Sequence, residues 1–180
     1  MNLKERNIAI TDIETSGDVF AKHEILEIGL VVINPQTLEI VDTLNIKVKP
    51  EHIENAVPEA LERNGYKEEN WREAVSLKEA MEKYSLKTKD AIFYAYNVSF
   101  DWGFMNEAFR KTGVKNLMDY HHIDLMSMAY LKLKDKINSL SLTSVSESFG
   151  IPKEPTPHIA LNGAMQAYYL LKSLMKDDQI

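Results

Sequence analysis

No cysteine occurs among the 180 residues, and this one absence removes a disulfide framework, a thiolate zinc site and a cysteine nucleophile together. Any metal must bind to oxygen or imidazole. Basic charge is also short, since 21 Lys+Arg stand against 27 Asp+Glu for a formal net charge of −6. A protein that coats long duplex nucleic acid needs a basic face to displace counterions from many phosphates, so the balance argues against that class. It leaves room for a short single-stranded end. Only 7 Gly and 6 Pro are present, and no internal repeat, low-complexity tract or linker interrupts the chain, which excludes collagen-like and disordered classes. No apolar run is long enough to span a membrane, and the N-terminal stretch meets charged residues before a signal-peptide core can form. One soluble, cytoplasmic domain over residues 1–175 is expected, with 176–180 as a frayed end.

What is present is a core-forming sequence, 44% hydrophobic. Ile8-Ala9-Ile10, running into Thr11-Asp12-Ile13-Glu14, reads as a central strand buried on both faces. Ile25–Ile33 predicts a second strand ending at Asn34-Pro35. Leu38–Val48, which alternates in its second half, predicts a half-exposed edge strand. Residues 51–89 are charged and helical in tone, with a helix at Leu77–Tyr84, and no chemistry is assigned to them. Ala91–Tyr96 predicts another strand, and Ser99 a cap for a helix with Phe100, Phe104, Met105, Ala108 and Phe109 on one stripe. The rest predicts a short strand at His122–Asp124 and helices at Leu125–Leu131 and Leu142–Phe149. A last helix carries the stripe Ile159, Ala160, Ala164, Ala167, Tyr168, Leu171 and Leu174. Strands first and mixed elements afterwards predict an α/β or α+β fold.

Three groups of residues carry candidate chemistry. Asp12 and Glu14, two apart on a strand, point to one face at its carboxyl end. Two carboxylates beside a core need a cation or hydrogen bonds, and hard divalent ions take oxygen ligands of this kind. Asp12 merely capping the turn at Ser16-Gly17 is the plainer alternative. Asn97-Val98-Ser99-Phe100-Asp101 lies where a strand hands over to a helix, a common place for sites in open sheets, although a first-turn Asp also complements the helix dipole. Pro157-His158-Ile159-Ala160 puts a histidine at the start of the last helix, free to exchange a proton or simply exposed there.

Together these pieces resemble the DEDD exonuclease superfamily, the DnaQ-like group that includes ribonuclease T, oligoribonuclease and proofreading exonucleases. Thr11–Gly17 resembles its first motif, Asp-x-Glu-Thr-(Thr/Ser)-Gly, followed by the Ile-x-Glu-Ile-Gly of Ile25–Gly29. Asn97–Asp101 is similar to the second motif, Asn-x-x-Phe-Asp, and His122–Leu125 to a strand-to-helix step that carries an Asp in many members. His158-x-Ala160 matches the start of the third, His-x-Ala-x-x-Asp-Ala, in its histidine form.

The resemblance implies an α/β, ribonuclease H-like fold: a mixed five-stranded sheet flanked by helices on both faces, whose first three strands form a meander. It implies two divalent ions per site, Mg²⁺ or Mn²⁺, with Asp12 bridging both, Glu14 binding one and Asp101 holding a metal directly or through water. His158 would be general base in hydrolysis at the 3′ end of single-stranded DNA or RNA. Thr15, Asn97 and Phe100 would contact substrate, and Phe20, Tyr94 and Tyr96 are further aromatic candidates.

One position departs from the pattern. Where the third motif places its Asp, this sequence has Gly163, and no acidic residue lies between Glu154 and Asp177. Asn162 offers only an amide oxygen. One ion would be under-coordinated, and Mn²⁺ is expected to support activity better than Mg²⁺, which demands stricter octahedral geometry. A catalytically inactive nucleic-acid-binding protein with the exonuclease fold remains open, as does a phosphodiesterase acting on dinucleotides. Gly163→Asp is expected to separate the first from an enzyme. Assembly as a stand-alone enzyme or a homodimer is expected.

Overall fold

The computed structural model describes residues 2–176. Five strands form one sheet in the order β3-β2-β1-β4-β5: β1 Ile8–Thr15, β2 Ile25–Ile33, β3 Ile40–Lys47, β4 Ile92–Ala95 and β5 His122–Asp124. The first three form an antiparallel meander, and β4 and β5 add in parallel, β4 beside Ile8–Ile10 of β1. Among the described residues, six α-helices accompany the sheet: α1 Pro58–Asn64, α2 Leu77–Lys87, α3 Val98–Thr112, α4 Leu125–Leu133, α5 Leu142–Ser148 and α6 Ala160–Lys176. This is the mixed α/β architecture expected from the sequence, with β3 the half-exposed edge.

Side chains alternate across a strand, and β1 uses both faces. Ala9 and Ile13 pack into the layer that holds Met81 and Tyr84 of α2 and Phe104 and Met105 of α3. Thr11, on that same face, shares a 2.7 Å hydrogen bond with the Tyr84 hydroxyl. Ile8 and Ile10 pack on the opposite side, against Ala164, Ala167, Tyr168 and Leu171 of α6. The even-numbered row that begins with these two isoleucines therefore continues into Asp12 and Glu14, beneath the start of α6.

Two features seat that helix. Gly29, the partner of Asp12 across the β1–β2 ladder, lies so close to it that a Cβ there would fall 2.1 Å from the Ala160 carbonyl. Only glycine admits the helix at this distance. Beside it, buried Glu27 accepts a hydrogen bond from the Ala160 amide at 3.2 Å, and Asn45 donates to its other oxygen at 3.1 Å. The Ile-x-Glu-Ile-Gly stretch thus caps and admits α6.

Local differences from the sequence reading have simple causes. Asn97, in a left-handed conformation, precedes α3, and Ser99 does not cap it. Asp124 does so instead: one oxygen accepts the Asn97 and Val98 amides at 3.0 and 3.2 Å, while its carboxylate also caps α4 through Met126 and Ser127. Ile159 lies before α6 and is 39% exposed, so it is not part of the buried stripe. Of the stretch 176–180 expected to fray, Lys176 is the last residue of α6, and 177–180 lie outside the described residues.

Candidate active site

A cleft of about 520 Å³ opens at the carboxyl end of β1. Asp12, Glu14 and Thr15 form its floor, with Phe100 from α3 and Arg63 from α1 on its walls. Glu154, His158 and Gly163 close it from the other side. Asp101, 3% exposed, stands behind this surface in the first turn of α3. Of the residues singled out in the sequence, Asp12, Glu14, Thr15, Phe100, His158 and Gly163 meet here, with Asp101 adjoining.

Asn97 does not line the cleft. It is exposed, and its side-chain oxygen accepts a 3.1 Å hydrogen bond from the Ser99 hydroxyl. Thr15 donates to the Gly17 carbonyl at 2.6 Å, so its hydroxyl shapes the loop after β1. Phe100 packs on Phe104 with ring centres 5.2 Å apart and lines the cleft.

The carboxylates are electrostatically uncomfortable. Glu14 is 9% exposed, and none of the described residues donates a hydrogen bond to its carboxylate or to that of Asp12. Burial, reinforced by Glu154 and Glu27 and opposed by Arg63, pushes the Glu14 carboxyl up to about 8. Burial also raises Asp12 well above the usual carboxylate range, with Asp101, Glu14 and Glu154 adding to the effect. Asp101 is raised by burial too, against hydrogen bonds from its own and the Ile13 amide. Asp124 shows the contrast: burial pushes it up, but the hydrogen bonds from Ser127, Val98 and Met126 outweigh that and hold it low. The capping carboxylate is solvated by amides, whereas Asp12 and Glu14 receive no such hydrogen bonds from the described residues.

A divalent ion fits that deficit. Asp12, Glu14 and Asp101 offer hard oxygen donors, and His158 lies beside them with Nδ1 3.9 Å from Glu14 Oε1. Among the described residues, Glu14, Glu154 and His158 have donor atoms within 4.8 Å of one another.

Position 163 corrects a simple view of a missing ligand. A Cβ on Gly163 would lie 2.4 Å from Asp12 Oδ2 and 2.7 Å from its Cγ. The space that an aspartate would need is taken by Asp12 itself, so Gly163→Asp cannot restore a ligand without turning Asp12 aside.

Sequence reasoning missed Glu154, Arg63 and Lys153, all on the cleft wall. The segment 51–89, to which no chemistry was assigned, supplies α1 as one wall. Asn64 ties that helix to the Thr15 carbonyl at 3.1 Å, and the Arg63 carbonyl accepts the His158 amide at 3.0 Å. No short-range pattern announces these contacts, because they join segments far apart in the chain. Glu154 had one weak signal, its place four residues before His158.

A mixed five-stranded sheet in this order, flanked by helices, is a ribonuclease H-like fold, the fold also seen in exonuclease I. More narrowly, the chain belongs to the RNase T exonuclease family, whose pattern it matches over residues 9–171. It is 26% identical over 176 residues to the 3′-5′ exonuclease DinG of Staphylococcus epidermidis, a match covering 96% of this chain and 18% of that protein. Similarity to the PolC-type DNA polymerase III of Listeria welshimeri is 25% over 177 residues, covering 98% of this chain and 12% of the polymerase. The chain thus spans less than a fifth of the length of these relatives.

Two of the solved structures that share the fold illustrate it. One is a 3′-exonuclease that recognises the histone mRNA stem-loop, with a TM-score of 0.77 and 18% identity over 98% of this chain and 67% of the other. The second is E. coli exonuclease I in complex with an oligonucleotide, at 0.78 and 18%, covering 97% of this chain and 41% of the other. Among the described residues no helix is long and apolar enough to cross a membrane.

Proposed function

We propose that the chain is a metal-dependent 3′-to-5′ exonuclease that hydrolyses the terminal phosphodiester of single-stranded DNA or RNA. The observation that carries this reading is the group of carboxylates at the carboxyl end of β1, half-buried Asp12 and buried Glu14, with buried Asp101 behind them in α3 and His158 across the cleft, their carboxyls raised chiefly by burial and by one another. Two divalent ions, Mg²⁺ or Mn²⁺, would orient the attacking water and receive the leaving 3′ oxygen. Asp12 and Glu14 would hold them from β1, with Asp101 as a further carboxylate from α3. His158 takes the proton of the attacking water. Arg63 and Lys153 supply the positive charge that draws a phosphate into an otherwise acidic cleft.

The aromatic residues extend the surface away from the scissile bond. Phe100 touches Phe104, which meets the half-exposed ring of Phe20 edge-on at 5.9 Å. Beyond Phe20 lies a second cleft of about 720 Å³ with Lys22, Lys49, Lys78 and Lys111 in its lining. Bases stacking on Phe100 and Phe20, with phosphates following these lysines, suit a single strand of few nucleotides.

A 5′-labelled single-stranded oligonucleotide incubated in Mg²⁺ and in Mn²⁺ tests the reading. A ladder shortened from the 3′ end is expected, strongest in Mn²⁺ and lost with EDTA. Binding of the strand without shortening in either ion would favour the non-catalytic reading that Gly163 permits.

A further inference from the structure

We propose that Glu154 supplies, from the approach to α6, the metal-binding carboxylate that position 163 lacks. Glu14 and Glu154 hold one divalent ion between them, and His158 stands beside it. The inference rests on the exonuclease reading of the cleft and assigns one ligand within it.

The two halves of the Glu154 carboxylate have different surroundings. Oε1 accepts the Ile159 amide at 3.0 Å, which fixes the side chain at the N-terminus of α6. Oε2 faces the cleft, 3.6 Å from His158 Nδ1, on a side chain only 10% exposed. Glu14 approaches the same point from β1, nine-tenths buried and without a hydrogen-bond donor among the described residues. Burying two such carboxylates side by side is unfavourable unless a cation joins them.

The spacing suits an ion. Ligands about 2.1 Å from one octahedral ion stand about 3.0 Å apart when adjacent and about 4.2 Å apart when opposite. Donor atoms of Glu14, Glu154 and His158 all fall within 4.8 Å of one another, so small side-chain rotations bring both carboxylates to one ion. His158 Nδ1, at 3.6 and 3.9 Å from the two carboxylates, is too far for a direct hydrogen bond to either, and at the right distance to face a water between them.

The absence of a side chain at 163 belongs to the same arrangement. Asp12 fills that volume, and the fourth carboxylate enters from the loop instead of the helix.

The test is isothermal titration with Mn²⁺ alone, on the full chain and on Glu154→Gln, followed by the oligonucleotide assay on the same samples. The amide oxygen of glutamine keeps the bond to the Ile159 amide, and a melt in EDTA verifies that the variant folds. Glu59→Gln, which removes a charge from the same cleft away from the cluster, controls for general electrostatics. Expected is at least a tenfold weaker Mn²⁺ affinity, or the loss of one of two ions, in Glu154→Gln and less than a threefold change in Glu59→Gln. Equal affinity in Glu154→Gln and the parent, or equal losses in both variants, overturns the assignment of Glu154; a 3′ ladder in the same samples then leaves the exonuclease reading standing. Mn²⁺ affinity that depends on Glu154 in a protein that cuts nothing supports the ligand and removes the exonuclease.

Discussion

Asp12 and Glu14 reach the cleft from a strand that pairs with β2 along its whole length, whereas Glu154, His158 and Gly163 reach it from an irregular approach and the first turn of α6. On the strand side, position follows from the sheet: side chains alternate, and the row of Ile8 and Ile10 leads to the carboxylates. On the loop side, position depends on individual contacts, namely Glu27 with the Ala160 amide, Glu154 with the Ile159 amide and the Arg63 carbonyl with His158. The sheet can carry charges that oppose folding, because the packed layers on its two faces hold it. The loop side cannot move far without losing its geometry. Substitutions on the strand should therefore change charge and chemistry, and substitutions on the loop side should change placement.

The sharpest separation comes from Glu14→Gln. Removing one metal-binding carboxylate is expected to lower the exonuclease rate by on the order of 10³-fold, the several kcal/mol of charge stabilisation an ion provides. The same variant is expected to melt higher than the parent in EDTA at pH 8, since it removes a buried, unpaired charge. Activity assays with melting curves check both; a variant that loses activity and stability together would place the strand side under the same rule as the loop.

Proton linkage gives the next largest effect. The Glu14 carboxyl titrates near 4.5 when unfolded and near 8 in the fold. Between those values the folded protein keeps a proton that the unfolded chain releases, so stability present at low pH is lost as pH rises through 8. For one such group the loss is up to about 1.4 kcal/mol per pH unit, and Asp12 and Asp101 act in the same direction. In EDTA the melting temperature should fall from pH 5 to pH 8, and Mn²⁺ should raise it more at pH 8. A pH-independent melt would show that the carboxylates find compensation within the protein.

What the sequence made legible follows the same division. The even-numbered row of β1 could be read from strand periodicity, and the positions of the strands along the chain from apolar runs, while their arrangement in the sheet came only with the family resemblance. Motif spacing located His158 and flagged Gly163. The segment Pro58–Asn64 and Glu154 were not legible, because their roles arise from contacts across the fold: α1 is tied to Thr15 by Asn64, and Glu154 meets Glu14 across 140 residues of chain. The capping role of Asp124 was hidden for a related reason, since it depends on β4 and β5 ending side by side. Ser99 had the better local credentials as a cap, and a tertiary contact displaced it.

Gly29→Ala probes the loop side through its support. The added Cβ would meet the Ala160 backbone, which cannot rotate away as a side chain would, so the start of α6 must shift. Overpacking of this kind costs about 1–3 kcal/mol. Urea unfolding should show that loss, with an activity decrease exceeding what the unfolded fraction explains. Full activity in the folded fraction would mean that His158 and Glu154 do not depend on the seat of α6.

Gly163→Ala should have the smallest effect on stability and still reach the chemistry. Its Cβ meets the Asp12 carboxylate, a group at the end of a side chain that can turn, so the fold absorbs the change for about 1 kcal/mol or less. Turning Asp12 moves an ion ligand, and a fall in rate of about tenfold is expected with a nearly unchanged melting temperature. Gly163→Asp imposes the same displacement while adding a carboxylate. If glycine is merely a lost ligand, Gly163→Asp should exceed the parent in rate and Gly163→Ala should match it. Where Asp12 and Glu154 have already divided the work of that ligand, both variants should fall below the parent, with aspartate the less impaired of the two because its charge still serves an ion.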